Sequence, residues 1–219
     1  MGISWIDSKR EAQAVLEPFS DERISARARS SEIMAQKHGR RIAFRVWLLG
    51  EARGRVKVIG RSQAFGIVQA LIGKIAAFDA PVLIEGETGT GKELAARAIH
   101  YGGARAACPF VPVNCGALPD SLIENELFGH RRGAFTDARE DKPGLVELAR
   151  GGTLFLDEVD ALTPKGQVTL LRFLQDQQFR PLGGRREEQA NVRVIAASNR
   201  SLERQVEADA FRLDLLYRL

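Results

Sequence analysis

Short apolar runs alternate with segments of helical periodicity from Val58 onward. Four runs have the length of single buried strands, and they cover residues 80–84, 110–114, 152–157 and 191–198. Between them, apolar residues recur every three or four positions, for example at Phe65, Val68, Leu71, Ile72 and Ile75, and again at Val168, Leu171 and Leu174. Strands that alternate with helices imply a parallel sheet covered on both faces. The pattern therefore predicts a three-layer αβα fold of the α/β class.

Residues 1–57 differ from the rest of the chain in their pattern of apolar and polar positions and in their charge. They hold 12 Lys and Arg against 7 Asp and Glu, whereas residues 58–219 are close to neutral. Residues 20–41 are compatible with a helix capped by Ser20 or Asp21, and the apolar run 42–50 with a strand or a helix end. The basic charge leaves two interpretations open, a solvated extension or a nucleic-acid contact. The expected division is an extension over 1–57 and one α/β domain over 58–219.

The composition narrows the class of protein. No apolar run approaches the roughly 18 residues that span a bilayer, and the first residues have no apolar core typical of a secretion signal. The expected compartment is the cytoplasm, with no membrane partner. Cys108 and Cys115 match no metal or redox spacing and are interpreted as reduced structural thiols.

A phosphate-binding loop is the strongest chemical signal. Gly86, Gly91 and Lys92 fit the pattern G-x-x-x-x-G-K between a predicted strand and a predicted helix. The glycines allow a tight turn whose N–H groups point at phosphate oxygens, and the helix adds its positive end. Lys92 would reach the β- and γ-phosphates of the ligand. Glu93 occupies the position that usually offers a hydroxyl to Mg²⁺. Within this segment, Thr90 is a candidate contact through its side chain or backbone. The whole nucleotide-binding segment is Gly86, Glu87, Thr88, Gly89, Thr90, Gly91, Lys92 and Glu93.

An acidic pair follows the third predicted strand. Asp157 and Glu158 emerge at its carboxyl end, where ligands bind in open α/β sheets. Asp157 is the candidate ligand of Mg²⁺, through water. Glu158 is the candidate base for an attacking water. Together with the loop, the pair predicts phosphoryl-transfer chemistry that depends on positioning and charge.

Five motifs resemble one family. "GETGTGKE", "GGTLFLDE", "ELFGHRRGAFTDA", "VRVIAASN" and "FRLDLLYRL" are similar to segments of the AAA+ P-loop ATPase domain of bacterial enhancer-binding proteins, which activate sigma-54 RNA polymerase. The resemblance covers roughly residues 59–219. It implies ATP and Mg²⁺ as cofactors and a self-assembled ring, expected to be a hexamer.

The resemblance also implies roles for individual residues. Asn114 matches the residue that holds the catalytic glutamate at rest, and Asn199 matches the γ-phosphate sensor. Arg212 and Arg218 match arginines that reach the neighbouring subunit's site. The loop formed by Gly133, Ala134, Phe135, Thr136, Asp137 and Ala138 matches the family's GAFTGA loop, which contacts the sigma factor and promoter DNA. Phe135 would then be an apolar side chain kept for a partner, with folding back onto its own domain as the alternative.

Two departures keep other functions open. Asp137 stands where the family has Gly, and its carboxylate would be costly to bury in an interface and would repel DNA. The family's helical lid and DNA-binding helix-turn-helix are expected after the point where the sequence ends, so the lid subdomain is expected to be missing. An AAA+ ATPase or a non-catalytic nucleotide-binding remnant that acts on a different protein partner is therefore the alternative function.

Overall fold

The computed structural model describes the backbone of residues 31–37, 40–46 and 63–219, and the side chains from Gly66 onward. Its strands are β1 (Ser31–Lys37), β2 (Arg40–Val46), β3 (Val82–Gly86), β4 (Phe110–Asn114), β5 (Gly129–His130), β6 (Lys142–Pro143), β7 (Thr153–Asp157), β8 (Gln178–Phe179), β9 (Glu188–Gln189) and β10 (Arg193–Ser198). Its helices are α1 (Gln63–Ala76), α2 (Lys92–Tyr101), α3 (Ile123–Phe128), α4 (Leu145–Leu148), α5 (Pro164–Asp176), α6 (Leu202–Glu207) and α7 (Leu213–Leu216). Short 3₁₀ turns cover Cys115–Ala117 and Val159–Ala161.

The central sheet has the strand order β2-β1-β3-β10-β7-β4. Strands β3, β10, β7 and β4 are parallel, and they coincide with the four predicted apolar runs apart from shifts of one or two residues. This confirms the predicted parallel sheet and the α/β class.

Both faces of the sheet are covered, as the continuous apolar strands require. Val82 and Ile84 of β3 contribute to a core with α1 and α2, and Phe155 of β7 joins the same core. Leu154 and Leu156 point to the other face and pack against α3, α5 and α7. Neighbouring residues of a strand therefore enter opposite cores, which gives the predicted three layers.

Two details differ from the predictions. Residues Ser31–Lys37 form strand β1 and pair antiparallel with β2 and β3, so the helix predicted over 20–41 is wrong in this part. Hydrogen-bond partners on β3, distant in sequence, decide this segment, and its local pattern does not show them. On α5 the buried stripe includes Leu170, Phe173 and Leu174, whereas Val168 is only partly buried. Apart from β1 and β2, residues 1–57 lie outside the described residues.

Candidate phosphate-binding site

The carboxyl edge of the sheet brings the predicted site residues together. In the parallel register Asn114 lies opposite Asp157, and Ser198 lies opposite Glu85. The segments that follow β3, β7 and β10 therefore meet at one edge. They carry Lys92, Glu158 and Asn199.

The loop after β3 has the geometry that its glycines predict. Gly89 and Gly91 have φ angles of 79° and 86°, a region that L side chains rarely adopt. Gly91 precedes the first residue of α2, so the turn leads directly into the helix. Thr90 is buried, and its hydroxyl donates to the carbonyl of Glu87 at 2.7 Å. The Thr90 side chain thus braces the loop from inside.

Lys92 is buried in the site and donates three hydrogen bonds. The residue is 7% exposed, and its Nζ donates to the carbonyls of Gly86 (2.8 Å) and Glu87 (3.1 Å) and to Oδ1 of Asn199 (2.6 Å). Burial lowers the pKa of Lys92, while the negative charges of Asp157 and its neighbours act in the opposite direction. The lysine is therefore held across its own loop by neutral oxygen acceptors.

The acidic pair lies beside this lysine. The backbone N–H of Glu158 donates to Oδ1 of Asp157 at 2.9 Å, and Glu158 has the unusual φ of 56°. Its Oε1 accepts from Nδ2 of Asn199 at 3.3 Å. Burial raises the pKa of Asp157, and the positive charge of Lys92 partly offsets this. A left-handed backbone at a residue other than glycine costs free energy and is often found at functional sites.

Asn199 therefore connects both halves of the site. Its Oδ1 faces Lys92 and its Nδ2 faces Glu158. Asn114 lies on the next strand, where its Oδ1 caps the 3₁₀ turn by accepting from the N–H of Ala117 at 3.1 Å. A Cβ at Gly116 would lie 2.8 Å from Oε2 of Glu158 and 3.3 Å from Oδ1 of Asn114. Asn114 and Glu158 thus flank the same glycine, and the Glu158 hydrogen bond in this structure is to Asn199.

Glu93 turns away from the loop. Its Oε1 accepts from Nε and Nη2 of Arg97, one helical turn later, at 2.9 and 2.7 Å. The guanidinium of Arg97 also lies over the Phe110 ring, 4.7 Å from the ring centre. The acidic side chain at the usual hydroxyl position is therefore paired within its own helix.

Two further carboxylates at this edge were not among the predicted site residues. Oδ1 of Asp160 accepts from the backbone N–H of Asn199 at 3.0 Å. Oε1 of Glu85 accepts from the backbone N–H of Leu202 at 2.8 Å. The motifs include Glu158, two residues before Asp160, and Gly86, directly after Glu85, but neither carboxylate itself. The buried acidic residue at the end of an apolar strand was the available signal for Glu85.

The two candidate arginines lie near the end of the described chain, on α7 and its flanks. Arg212 forms two hydrogen bonds with the Asp214 carboxylate, at 3.0 and 2.7 Å. Arg218 is exposed, and the described residues give it no ion pair. Neither arginine is hydrogen-bonded to the phosphate loop of its own chain. Of the two, Arg218 is the one without an ion-pair partner among the described residues, whereas Arg212 pairs with Asp214.

The loop with Phe135 is compact and docked on a neighbouring loop. The N–H of Gly133 donates to the carbonyl of Ala138 at 2.8 Å, and the N–H of Arg131 donates to the carbonyl of Leu182 at 2.9 Å. Phe135 is 44% exposed, and its ring meets that of His130 edge-on at 4.9 Å between centroids. The side chain is thus partly exposed and partly packed on its own domain, so both interpretations of Phe135 stay open.

Asp137 does not have the positive φ that the family's Gly would allow. Among the described residues other than glycine, only Glu158, Gln177 and Asp209 have positive φ. In this conformation the loop closes without backbone strain at Asp137. The Asp137 side chain is exposed. Asp in place of Gly therefore changes the charge of the loop rather than its backbone conformation.

The sheet order, the phosphate loop and the acidic strand define a P-loop NTPase fold of the AAA+ class. The model of the sigma-54 interaction domain matches residues 58–219, and the chain belongs to this family. NtrX from Brucella abortus, in a crystal structure in complex with ATP, superposes with a TM-score of 0.67 at 37% identity, over 74% of this chain and 36% of that one.

Curated relatives agree with this assignment. The hydrogenase transcriptional regulatory protein HoxA of Bradyrhizobium diazoefficiens is 60% identical over 146 residues, 67% of this chain and 30% of the relative. The Nif-specific regulatory protein of Azotobacter vinelandii is 45% identical over 217 residues, 91% of this chain and 42% of the relative. The chain spans less than half the length of each. These relatives do not favour the alternative function on a different partner.

The described residues contain no helix long and apolar enough to cross a membrane.

Proposed function

We propose that this chain binds and hydrolyses magnesium–ATP as the motor module of a sigma-54-dependent transcriptional regulator. One observation carries the proposal: the buried Lys92 ammonium is held at the phosphate loop by Asn199, which also contacts the Glu158 carboxylate. A loop lysine, a polar sensor and a carboxylate are thereby assembled at one edge of the sheet. The ATP complex of the related NtrX supports a nucleotide as the ligand.

The triphosphate would lie against the N–H groups of the loop and the start of α2. The amides and the helix end favour negative charge there. Lys92 would exchange its neutral acceptors for β- and γ-phosphate oxygens, which accept stronger, charge-assisted hydrogen bonds. Loss of the contact from Lys92 to Asn199 would then be an early consequence of binding.

The Asp157 carboxylate fits magnesium as a ligand. Among the described residues no cluster of three or more His, Cys, Asp or Glu side chains has the arrangement of a metal site. Mg²⁺ at nucleotide sites is held by one or two carboxylates together with phosphate oxygens and water, and Asp157 at the end of β7 offers such a carboxylate. When bound, Mg²⁺ would neutralise charge on the β- and γ-phosphates.

Hydrolysis would proceed by attack of water on the γ-phosphorus. The water oxygen forms the new bond as the bond to the β,γ-bridging oxygen breaks, giving ADP and phosphate. Glu158 accepts the proton of the water, and its hydrogen bond to Asn199 fixes the carboxylate until nucleotide arrives. Arg218, together with Arg212, which is ion-paired with Asp214 in this structure, would complete the site of a neighbouring subunit in a ring, with a hexamer as the expected assembly.

The partner loop would couple this chemistry to transcription. Asn114 and Glu158 flank Gly116, so movement of Glu158 toward the nucleotide changes what the 3₁₀ turn after β4 packs against. That turn leads through α3 to the loop that carries Phe135. We infer that Phe135 and Thr136 contact sigma-54, with promoter DNA close to the loop, and that the protein acts in the cytoplasm.

Binding to purified sigma-54 tests this proposal. The chain would be mixed with sigma-54 and magnesium–ADP–aluminium fluoride, a mimic of the transition state, and complexes would be separated by native electrophoresis. We expect a complex that Phe135→Ala abolishes. Phe78→Ala removes a similarly exposed phenylalanine outside the loop and serves as the control. Equal complex formation by both variants would contradict the role of the loop.

A further inference from the structure

The segment from Ser198 to Leu202 carries the sensor asparagine and is held at two points. At one point Oδ1 of Asp160 accepts from the N–H of Asn199 at 3.0 Å. At the other, Oε1 of Glu85 accepts from the N–H of Leu202 at 2.8 Å. The two carboxylates follow or end different strands, and each accepts a hydrogen bond from one end of this short segment.

The segment between these points is closed by its own hydrogen bonds. The Ser198 hydroxyl donates to the carbonyl of Arg200 at 2.6 Å and accepts from the N–H of Arg200 at 3.1 Å. Ser201 then caps α6 by accepting from the N–H of Arg204. The turn is therefore a small rigid unit, and its position depends on what fixes it from outside.

Each carboxylate is adjacent to a group of the proposed machinery. Glu85 directly precedes Gly86 of the phosphate loop, and it is only 5% exposed. Asp160 follows Glu158 by two residues, in the 3₁₀ turn after β7. The first therefore ties the sensor turn to the phosphate loop, and the second ties it to the catalytic carboxylate.

We propose that Asp160 and Glu85 are positioning residues that fix the backbone of the Asn199 turn, so that its carboxamide lies between Lys92 and Glu158 and registers a terminal phosphate. This rests on the proposed function. ADP is held mainly by the loop amides, whereas the γ-phosphate also meets Asn199. Loosening the turn therefore weakens the binding of ATP more than the binding of ADP.

The matched substitutions at Asp160 separate positioning from general stability. Asp160→Asn keeps an oxygen acceptor, whereas Asp160→Ala removes it. Dissociation constants for magnesium–ADP and for the slowly hydrolysed magnesium–ATPγS would be measured by calorimetry on the 219-residue chain. We expect Asp160→Ala to weaken ATPγS binding roughly tenfold, as for loss of a charge-assisted hydrogen bond, with little change for ADP. Asp160→Asn should bind both nucleotides like the wild type.

Glu85 has a corresponding pair. Glu85→Gln keeps the acceptor for Leu202, and Glu85→Leu fills the same space without it. Glu203→Ala, on the exposed face of α6, controls for loss of an acidic charge near the turn. We expect Glu85→Leu to lower the preference for ATPγS over ADP, and neither Glu85→Gln nor Glu203→Ala to do so.

Several outcomes would overturn the inference. Equal weakening of both nucleotides by Asp160→Ala and Glu85→Leu would mean a general structural role. If Asp160→Asn loses the preference for ATPγS as Asp160→Ala does, the oxygen acceptor is not the cause of that preference. If Asp160→Ala does not fold, Asp160→Ser, whose hydroxyl is too short to reach the same N–H, replaces it.

Amide hydrogen exchange distinguishes failure of this inference from failure of the proposed function. If the wild-type chain binds neither nucleotide, the proposed function is wrong. The two anchor points are then tested directly: the N–H of Asn199 should exchange faster in Asp160→Ala, and the N–H of Leu202 faster in Glu85→Leu. Unchanged exchange at both amides would overturn the positioning role.

Discussion

The Lys92 ammonium lies 2.6 Å from Oδ1 of Asn199, a residue 107 positions later in the chain. This contact joins the phosphate loop after β3 to the end of β10. Since Nδ2 of the same asparagine donates to Glu158, three strand ends are connected through one carboxamide. We expect a nucleotide that recruits Lys92 to break this connection and so to couple ligand binding to the position of Glu158.

Glu158→Gln should abolish turnover while nucleotide binding persists. The carboxamide keeps a similar shape but cannot accept the proton of the attacking water, so we expect the ATPase rate to fall about 10²–10⁴-fold. Phosphate release measures the rate, and calorimetry measures binding. Glu124→Gln, on the exposed side of α3, is the control. A rate equal to that of the wild type would remove Glu158 from the catalytic role.

Arg218→Ala should lower turnover by about 10³-fold if the arginine completes a neighbouring site. Mixing it with Lys92→Ala subunits recreates some intact sites, because each variant supplies what the other lacks. We therefore expect the ATPase rate of the mixture to exceed that of either variant alone. Arg172→Ala, an exposed arginine on α5, should have no effect. No recovery at any mixing ratio would argue against action in trans.

His100 should make the folded chain sensitive to mild acid. It is buried with Nδ1 2.8 Å from the Thr153 hydroxyl, and burial lowers its pKa below the ordinary 6.5, with the charges of Arg193 and Arg97 acting in the same direction. The unfolded chain takes up a proton near pH 6.5 while the folded chain does not, so the free energy of unfolding falls as the pH drops below 6.5. Urea unfolding at pH 7.5 and 5.5 measures this loss. His100→Gln should reduce it, and an unchanged pH dependence would contradict the assignment.

Arg105 should contribute to stability without affecting the site. At the amino edge of the sheet its guanidinium donates to both carboxylate oxygens of Asp79, at 2.8 and 2.7 Å, and also reaches the carbonyls of Gly152 and Asn191. Lysine cannot reproduce this planar set of donors. We therefore expect Arg105→Lys and Arg105→Ala to lower the free energy of unfolding similarly, by about 2 kcal/mol. Denaturant unfolding measures the loss, and Arg186→Ala, at an exposed site, is the control. Full stability of Arg105→Lys would contradict the geometric explanation.

The fold was largely predictable because its central strands are buried on both faces. Such strands are continuous apolar runs, and Phe110–Asn114 has the predicted bounds. The phosphate loop was predictable because a tight turn at the start of a helix needs glycine where φ is positive, as at Gly91. Strand β1 was not predicted, since its neighbours in the sheet decide its conformation.

The connections within the site were less accessible to sequence reasoning. Asp160 acts on a backbone N–H 39 residues away, and no local pattern marks such a contact. The ion pair of Arg212 with Asp214 and the edge contact of Phe135 with His130 depend on side-chain conformations that the fold selects. Motifs therefore indicate the candidate residues, and the structure adds the contacts that hold these candidates in place.

The central claim is that magnesium–nucleotide binds at the loop of Lys92. Isothermal titration of the 219-residue chain with magnesium–ADP and magnesium–ATPγS tests it most directly, with Lys92→Ala as the variant and Lys74→Ala, on the exposed face of α1, as the matched control. We predict saturable binding to the wild type and to Lys74→Ala, and at least roughly tenfold weaker binding to Lys92→Ala, because a charge-assisted contact to phosphate is lost. No binding to the folded wild-type chain, or equal binding by Lys92→Ala, would contradict it.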